Sequence, residues 1–221
     1  MDFKIFPSIL SANFANLAKD VTECESSGAS GVHIDIMDGQ FVPPITFGPM
    51  IVKAISDITN LYLDVHLMVV EPNRYFKELY DSGANSISFH IESSNQIKSD
   101  LNELFDLGVN RSLAINPETP ITQVIPFLNH VDQILIMSVN PGYGGQKFIS
   151  DSLTKIEDLK KLKAQNSEFK IQVDGGIKAE NIIQVLQAGA DSVVAGSAIF
   201  NSNATVSKNM ETIISNIKSM E

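Results

Sequence analysis

Two short runs of this chain interrupt an apolar strand pattern in the same way. Val32-His33-Ile34-Asp35-Ile36-Met37 and Leu63-Asp64-Val65-His66-Leu67-Met68 each set one imidazole and one carboxylate two residues apart. Side chains alternate across an extended strand, so His33 and Asp35 share one face while Val32, Ile34 and Ile36 take the other. Asp64 and His66 share a face likewise. A third run, Ile171-Gln172-Val173-Asp174-Gly175-Gly176, ends on a carboxylate beside two glycines. With the apolar sets turned to a common core, His33, Asp35, His66 and Asp174 converge on one space. Two imidazoles and two carboxylates suit a divalent ion, Zn²⁺, Fe²⁺, Mn²⁺ or Co²⁺, one per subunit. Without a cation the carboxylates would raise one another's pKa. Asp64 lies deeper on its face than His66 and is expected to hydrogen-bond a ligand rather than bind an ion itself. His90 and Glu92 are candidates for a similar supporting role or for a purely structural one. His130 reads as a surface residue.

Three glycine clusters occupy the second half: Asn140-Pro141-Gly142-Tyr143-Gly144-Gly145-Gln146, Gly175-Gly176, and Ala195-Gly196-Ser197. Glycines let backbone N–H groups approach an anion without a Cβ in the way, and a helix N-terminus that follows adds partial positive charge. A phosphate site is the expected use.

These residues need elements to carry them. Strand-like runs fall near 4–9, 32–37, 62–68, 86–91, 111–115, 132–138, 169–174 and 192–195. Helical patterns fall near 14–27, 47–57, 72–82, 95–107, 121–128, 151–165, 178–188 and 204–219. Glycines at 28, 83, 108 and 189 close helices ahead of the next strand, and Pro72 opens one. Eight strands alternating with eight helices predict a parallel sheet closed into a single-domain (β/α)8 TIM barrel over 1–221. An open nucleotide-binding sheet is disfavoured, because the first strand runs into Ser8-Ile9-Leu10-Ser11-Ala12-Asn13 with no glycine-rich turn. In such barrels the chemistry sits at the C-terminal ends of strands, where the candidates lie.

The chain has 221 residues, 43% hydrophobic and 19% charged, ample for one large core. Its 26 acidic and 16 basic residues leave a formal charge of −10, which repels nucleic acid and anionic lipid. The same charge repels phosphate, so a phosphorylated ligand must be held by local backbone groups. Cys24 is the single cysteine and reads as an inert buried thiol. No apolar run approaches a membrane span, and no leader precedes the first strand, so the expected compartment is the cytoplasm. Neither a nucleotide nor a redox cofactor is signalled.

With these residues assembled, the chain resembles the ribulose-phosphate 3-epimerase family from Phe6-Pro7-Ser8-Ile9-Leu10-Ser11-Ala12 to Val194-Ala195-Gly196-Ser197-Ala198-Ile199-Phe200. The stretches that carry it are His33–Gly39, Leu63–Met68, Met137–Gln146 and Val173–Ile177. The resemblance implies a ribulose-phosphate-binding barrel that interconverts D-ribulose 5-phosphate and D-xylulose 5-phosphate at C3, through an enediolate, in the pentose phosphate pathway. It implies metal ligation by His33, Asp35, His66 and Asp174, with Asp35 and Asp174 doubling as the acid/base pair. Ser8 and His66 would touch the sugar. Gly142, Tyr143, Gly144, Gly145, Gly175, Gly176, Gly196 and Ser197, with Asp174, would line the substrate and phosphate site. Met37, Met68 and Met137 would lie near the reacting carbons. The family also implies a homo-oligomer. Gln40 stands where a His is usual and Pro44 where an Asn is usual, which leaves the metal set intact and bears on sugar recognition by that loop. Alternatives are an epimerase of a hexulose phosphate such as D-allulose 6-phosphate, a metal-free phosphate-barrel lyase or isomerase, and a non-catalytic sugar-phosphate-binding barrel.

Overall fold

Strand parity sorts the barrel's side chains into two populations. In a computed structural model describing residues 3–166 and 168–219, the strands are β1 (Lys4–Pro7), β2 (Gly31–Met37), β3 (Tyr62–Met68), β4 (Ser86–His90), β5 (Asn110–Ile115), β6 (Gln133–Met137), β7 (Lys170–Asp174) and β8 (Ser192–Ala195). All ladders are parallel, in the order β1-β8-β7-β6-β5-β4-β3-β2. A single bridge between Ser8 and His33 joins the two ends, giving a nearly closed barrel. One parity, including Val32, Ile34, Leu63, Val65, Ile171 and Val173, faces the helices and forms the main core. The other parity faces inward and is largely polar: His33, Asp35, Asp64, His66, Ser88, Ser112 and Gln172 are buried. The inner apolar residues form two separate small clusters, one with Met37 and Met68, the other with Leu135 and Met137.

Among the described residues seven α-helices lie between and after the strands: α1 (Leu17–Ser26), α2 (Pro49–Ser56), α3 (Asn73–Asp81), α4 (Ile97–Leu107), α5 (Ser152–Asn166), α6 (Ile182–Ala188) and α7 (Val206–Lys218). The eighth expected helix, over 121–128, is instead two 3-10 turns, Ile121–Gln123 and Ile125–Phe127. Pro126 lacks the N–H that a continuous helix requires there. The expected helix over 178–188 begins only at Ile182, because Asn181 folds its side chain back onto the Lys178 N–H (2.8 Å) and the Gly176 carbonyl (2.8 Å). The glycine punctuation operates as expected. Gly108 ends α4 at φ 77°, its N–H donating to the carbonyls of Leu104 and Phe105, a left-handed cap that a Cβ disfavours. Cys24 is fully buried, and burial, with Asp20 and Glu23 nearby, pushes its thiol up to about 12. His130 is partly exposed in the turn before β6. Among the described residues no helix is long and apolar enough to cross a membrane.

Candidate active site

The β2–β3 register sets His33 beside Asp64 and Asp35 beside His66, so each cross-strand pair is an acid with an imidazole. β7 brings Asp174 to the same space from its C-terminal tip. His33 Nε2, Asp35 Oδ1, His66 Nδ1 and Asp174 Oδ2 meet there; one ligand atom from each of the four residues lies within 4.8 Å of all the others. Asp35 Oδ1 is 3.4 Å from His33 Nε2 and 3.1 Å from His66 Nδ1, and Asp174 Oδ2 is 3.8 Å from each ring nitrogen. Ligands about 2.1 Å from a tetrahedral ion stand about 3.4 Å apart, so these spacings fit a small dication. The buried His33 Nε2 has no hydrogen-bond partner, and with Nδ1 turned to Asp64 it is the nitrogen that an ion would take in place of a proton. Asp64 is held behind His33, accepting from the His33 ring (Nδ1 to Oδ2, 2.8 Å) and from Gln172 Nε2 (2.9 Å). That is the supporting position expected of it.

The electrostatics are those of a site short of positive charge. Burial, then the charge of Asp35, push the Asp174 carboxyl up to about 7. Burial also works against the Asp35 carboxylate, but the charge and hydrogen bonds of His33 and His66 outweigh it and hold its pKa far below the ordinary value. Burial acts to lower the His33 pKa, and Asp35 and Asp64 reverse that, raising it well above the usual imidazole range. Burial keeps His66 below that range. Two carboxylates in one pocket thus titrate far apart, one inclined to hold a proton and the other to stay ionised.

A cleft opens above the cluster. It is lined by Ser8, Asp35 and Asp174, by Met37, Met68 and Met137, by Gly142 through Gly145, and by Gly175, Gly176, Gly196 and Ser197. His33 and His66 are fully buried and do not line it, although a sugar contact was expected of His66. Ser8 Oγ donates to Asp35 Oδ2 at 2.5 Å. No Lys or Arg lines the cleft, so an anion there would rest on backbone and hydroxyl groups. Gly175 (φ 119°) and Gly176 (φ 66°) turn the chain at the tip of β7; a Cβ would come within 2.5 Å of Val139 at the first and of the Phe148 backbone at the second. Ser138 braces that turn, its hydroxyl lying 2.9 Å from the Asp174 carbonyl and 2.7 Å from that of Gly175. After β8, residues 197–199 form a turn in which the Ile199 and Phe200 N–H groups bond to the Gly196 carbonyl, and the helix expected near 204–219 follows as α7 from Val206.

Sequence reasoning missed Ser11 and Gln146. Ser11 lines the cleft, and its Oγ would lie 2.8 Å from a Cβ at Gly196. Gln146 donates to the carbonyls of Asn140 (2.6 Å) and Tyr143 (2.8 Å), tying the glycine loop to itself. The available signal was position: Ser11 lies within, and Gln146 ends, a run already quoted for the site. Pro44, one of the two departures in the loop after β2, lies close to Gly142, so the two loops touch over the cleft.

The chain is thus a parallel (β/α)8 barrel with an acid–imidazole cluster at its C-terminal mouth that could hold a metal ion. Solved barrels share the architecture: a mutant tryptophan synthase alpha-subunit from Pyrococcus furiosus (TM-score 0.72, 16% identity, 97% of this chain and 98% of that one) and KGPDC from Streptococcus mutans (0.75, 12%, 99% of each). At such identities the likeness concerns the fold alone. Sequence goes further. The model of the ribulose-phosphate 3 epimerase family matches residues 4–200. Ribulose-phosphate 3-epimerase of Synechocystis is 46% identical over 89% of this chain and 87% of its own, and that of Bacillus subtilis 42% over 89% and 92%. The chloroplastic ribulose-5-phosphate-3-epimerase of Arabidopsis thaliana is 45% identical over 90% of this chain and 72% of its own. The chain belongs to the ribulose-phosphate 3-epimerase family, carbohydrate epimerases of the isomerase class.

Proposed function

We propose that this chain is a metal-dependent epimerase that inverts C3 of D-ribulose 5-phosphate to give D-xylulose 5-phosphate. The observation that carries the reading is the meeting of Asp35 and Asp174, from β2 and β7, with two imidazole nitrogens at the floor of a glycine-walled cleft. His33, Asp35, His66 and Asp174 would hold the ion, and when bound it supplies Lewis-acid stabilisation of negative charge on substrate oxygens, worth several kcal/mol. The C3 hydrogen is adjacent to a carbonyl, and its removal gives an enediolate. One aspartate takes that proton from one face and the other returns a proton to the opposite face, which inverts configuration. A single base would mostly restore the starting epimer. In the metal-free chain the opposed shifts of Asp35 and Asp174 already distinguish the two carboxyls, and a bound cation would favour the ionised form of both. Ser8, hydrogen-bonded to Asp35, would orient that carboxylate and touch the sugar. The glycines of the three loops, with Ser197 and Tyr143, would seat the phosphate, and the three methionines would face the reacting carbons without adding a competing base.

The same reading makes the chain a single catalytic domain, a cytoplasmic enzyme of the pentose phosphate pathway, and a homo-oligomer; exposed Phe14, Ile45 and Met50 are apolar surface that self-association would cover. The decisive assay is exchange of the C3 hydrogen with deuterated water. Exchange and turnover of ribulose 5-phosphate well above those of allulose 6-phosphate are expected. Preference for the hexulose phosphate would reassign the substrate, and binding without exchange would leave a sugar-phosphate binder.

A further inference from the structure

The two imidazoles reach the cluster through different nitrogens. His33 presents Nε2 and turns Nδ1 to Asp64, whereas His66 presents Nδ1 and turns Nε2 away. Behind His66, its Nε2 lies 2.9 Å from His90 Nε2, and both rings are fully buried. Two neutral imidazole nitrogens at that distance share a single hydrogen, so one ring donates and the other accepts. On its far side His90 Nδ1 lies 3.1 Å from Glu92 Oε2. Glu92 in turn accepts from the Asn116 N–H (2.9 Å) and from the Thr119 hydroxyl. These bonds hold its carboxyl down at about 2 against the opposing effect of burial. Phe41 packs on the His90 ring, 4.9 Å between centroids, and closes the row.

A carboxylate only accepts, and that fixes the direction of every hydrogen in the row. His90 must donate from Nδ1 to Glu92, so its Nε2 carries a lone pair. That lone pair takes the hydrogen of His66 Nε2, and His66 Nδ1 is left bare at the cluster. We infer that Glu92, acting through His90, sets the tautomer of His66 and so keeps a ligand lone pair on its Nδ1. His90 and Glu92 are therefore positioning residues. The tautomer follows from hydrogen-bond geometry alone; its consequence for metal retention rests on the function proposed above.

The informative substitution is Glu92→Gln, nearly isosteric but able to reverse the row. The amide oxygen stays with Asn116 and Thr119, which both donate, so the amide NH₂ faces His90 Nδ1. His90 must then accept there and donate from Nε2, and His66 must accept at Nε2 and carry its hydrogen on Nδ1, into the ligand position. Thr119→Val is the control: it removes one bond to Glu92 without reversing anything. Long-range ¹⁵N–¹H spectra of histidine-labelled, metal-free protein at pH 7.5 read the tautomers directly, and Zn²⁺ titration against a chromophoric chelator reads affinity. Wild type should show His66 protonated on Nε2, and Glu92→Gln should show it on Nδ1 with Zn²⁺ affinity about 10–100-fold weaker. Thr119→Val should keep the wild-type tautomer and stay within about threefold of wild-type affinity, well inside that range. A wild-type His66 protonated on Nδ1 overturns the inference even if no variant folds. So does a Glu92→Gln protein with tautomer and affinity unchanged. Wild type that binds no Zn²⁺ would instead overturn the metal reading, while the spectra still decide the tautomer.

Discussion

At the N-terminal mouth of the barrel two partly exposed acids each meet a cation, whereas at the C-terminal mouth two acids meet each other. Asp132, just before β6, accepts from Nε and Nη2 of Arg111 at 2.9 Å each and from its backbone N–H. Asp191, before β8, holds Lys163 with both oxygens at 2.7 Å and caps the Ile171 N–H. Tyr62 and Asn110 satisfy one another across β3 and β5. At the other end Asp35 and Asp174 face a common point with two imidazoles and, among the described residues that line the cleft, no Lys or Arg, and one ring nitrogen has no partner. The lower mouth is arranged so that its charges cancel, and the upper mouth so that an ion and a substrate can complete it. Stability and chemistry are thereby assigned to opposite ends of the same strands.

The sharpest way to break this comparison is to remove one upper acid at a time. Asp35→Asn and Asp174→Asn should each lower C3 exchange on ribulose 5-phosphate by roughly 10³-fold or more, since each variant loses a proton-transfer group and a metal ligand together. Both should fold, because each substitution is nearly isosteric and keeps hydrogen-bonding groups in place. Full exchange in either variant would remove that residue from its role. Next in size, a chelator should abolish most exchange, and Zn²⁺, Mn²⁺, Co²⁺ or Fe²⁺ should restore it. The same treatment should lower thermal stability, by about 2.7 kcal/mol if the ion had been present at a hundred times its dissociation constant. Exchange that survives exhaustive chelation would point to a metal-free barrel.

The unusual carboxyl gives a smaller, pH-dependent effect. In the metal-free protein Asp174 holds its proton up to about 7, against 3.8 ordinarily. Between those values the folded chain binds a proton that the unfolded chain has released. This contribution is therefore present at the acid end and is lost as pH rises toward 7. Wild type should lose up to about 1.4 kcal/mol per pH unit relative to Asp174→Asn between pH 5 and 7. Urea melts of the two metal-free proteins check this, and parallel pH profiles would contradict the shift. The smallest effect belongs to the lower mouth. Asp132→Ala should cost about 1 kcal/mol of stability through its partly exposed ion pair with Arg111, and leave kcat and KM unchanged. A fall in turnover there would blur the division between the two ends.

Much of this was legible before any coordinates. Alternation with period two put His33 and Asp35 on the inward face, and the same parity put Asp64 behind the ligand row. Glycines at 28, 83, 108 and 189 marked helix ends, and the clusters at 142–145, 175–176 and 196 marked the cleft wall. Over 121–128 the apolar spacing suits a helix that Pro126 divides into two 3-10 turns, and before Ile182 the side-chain turn of Asn181 leaves no periodic trace. The contribution of Ser11 and Gln146 depends on loops folding back across the mouth, a separation in sequence that local patterns do not encode.

Composition and spacing by themselves determined the architecture, the face on which each ligand candidate sits, and the excess of acidic over cationic groups. Those follow from periodicity and net charge, which are properties of the chain read in order. Only the tertiary structure decided which nitrogen of each histidine meets the acids, that His66 stands behind the cleft wall, and that His90 and Glu92 line up behind it. Those are matters of distance between residues 24 or more positions apart, set by strand register and barrel closure.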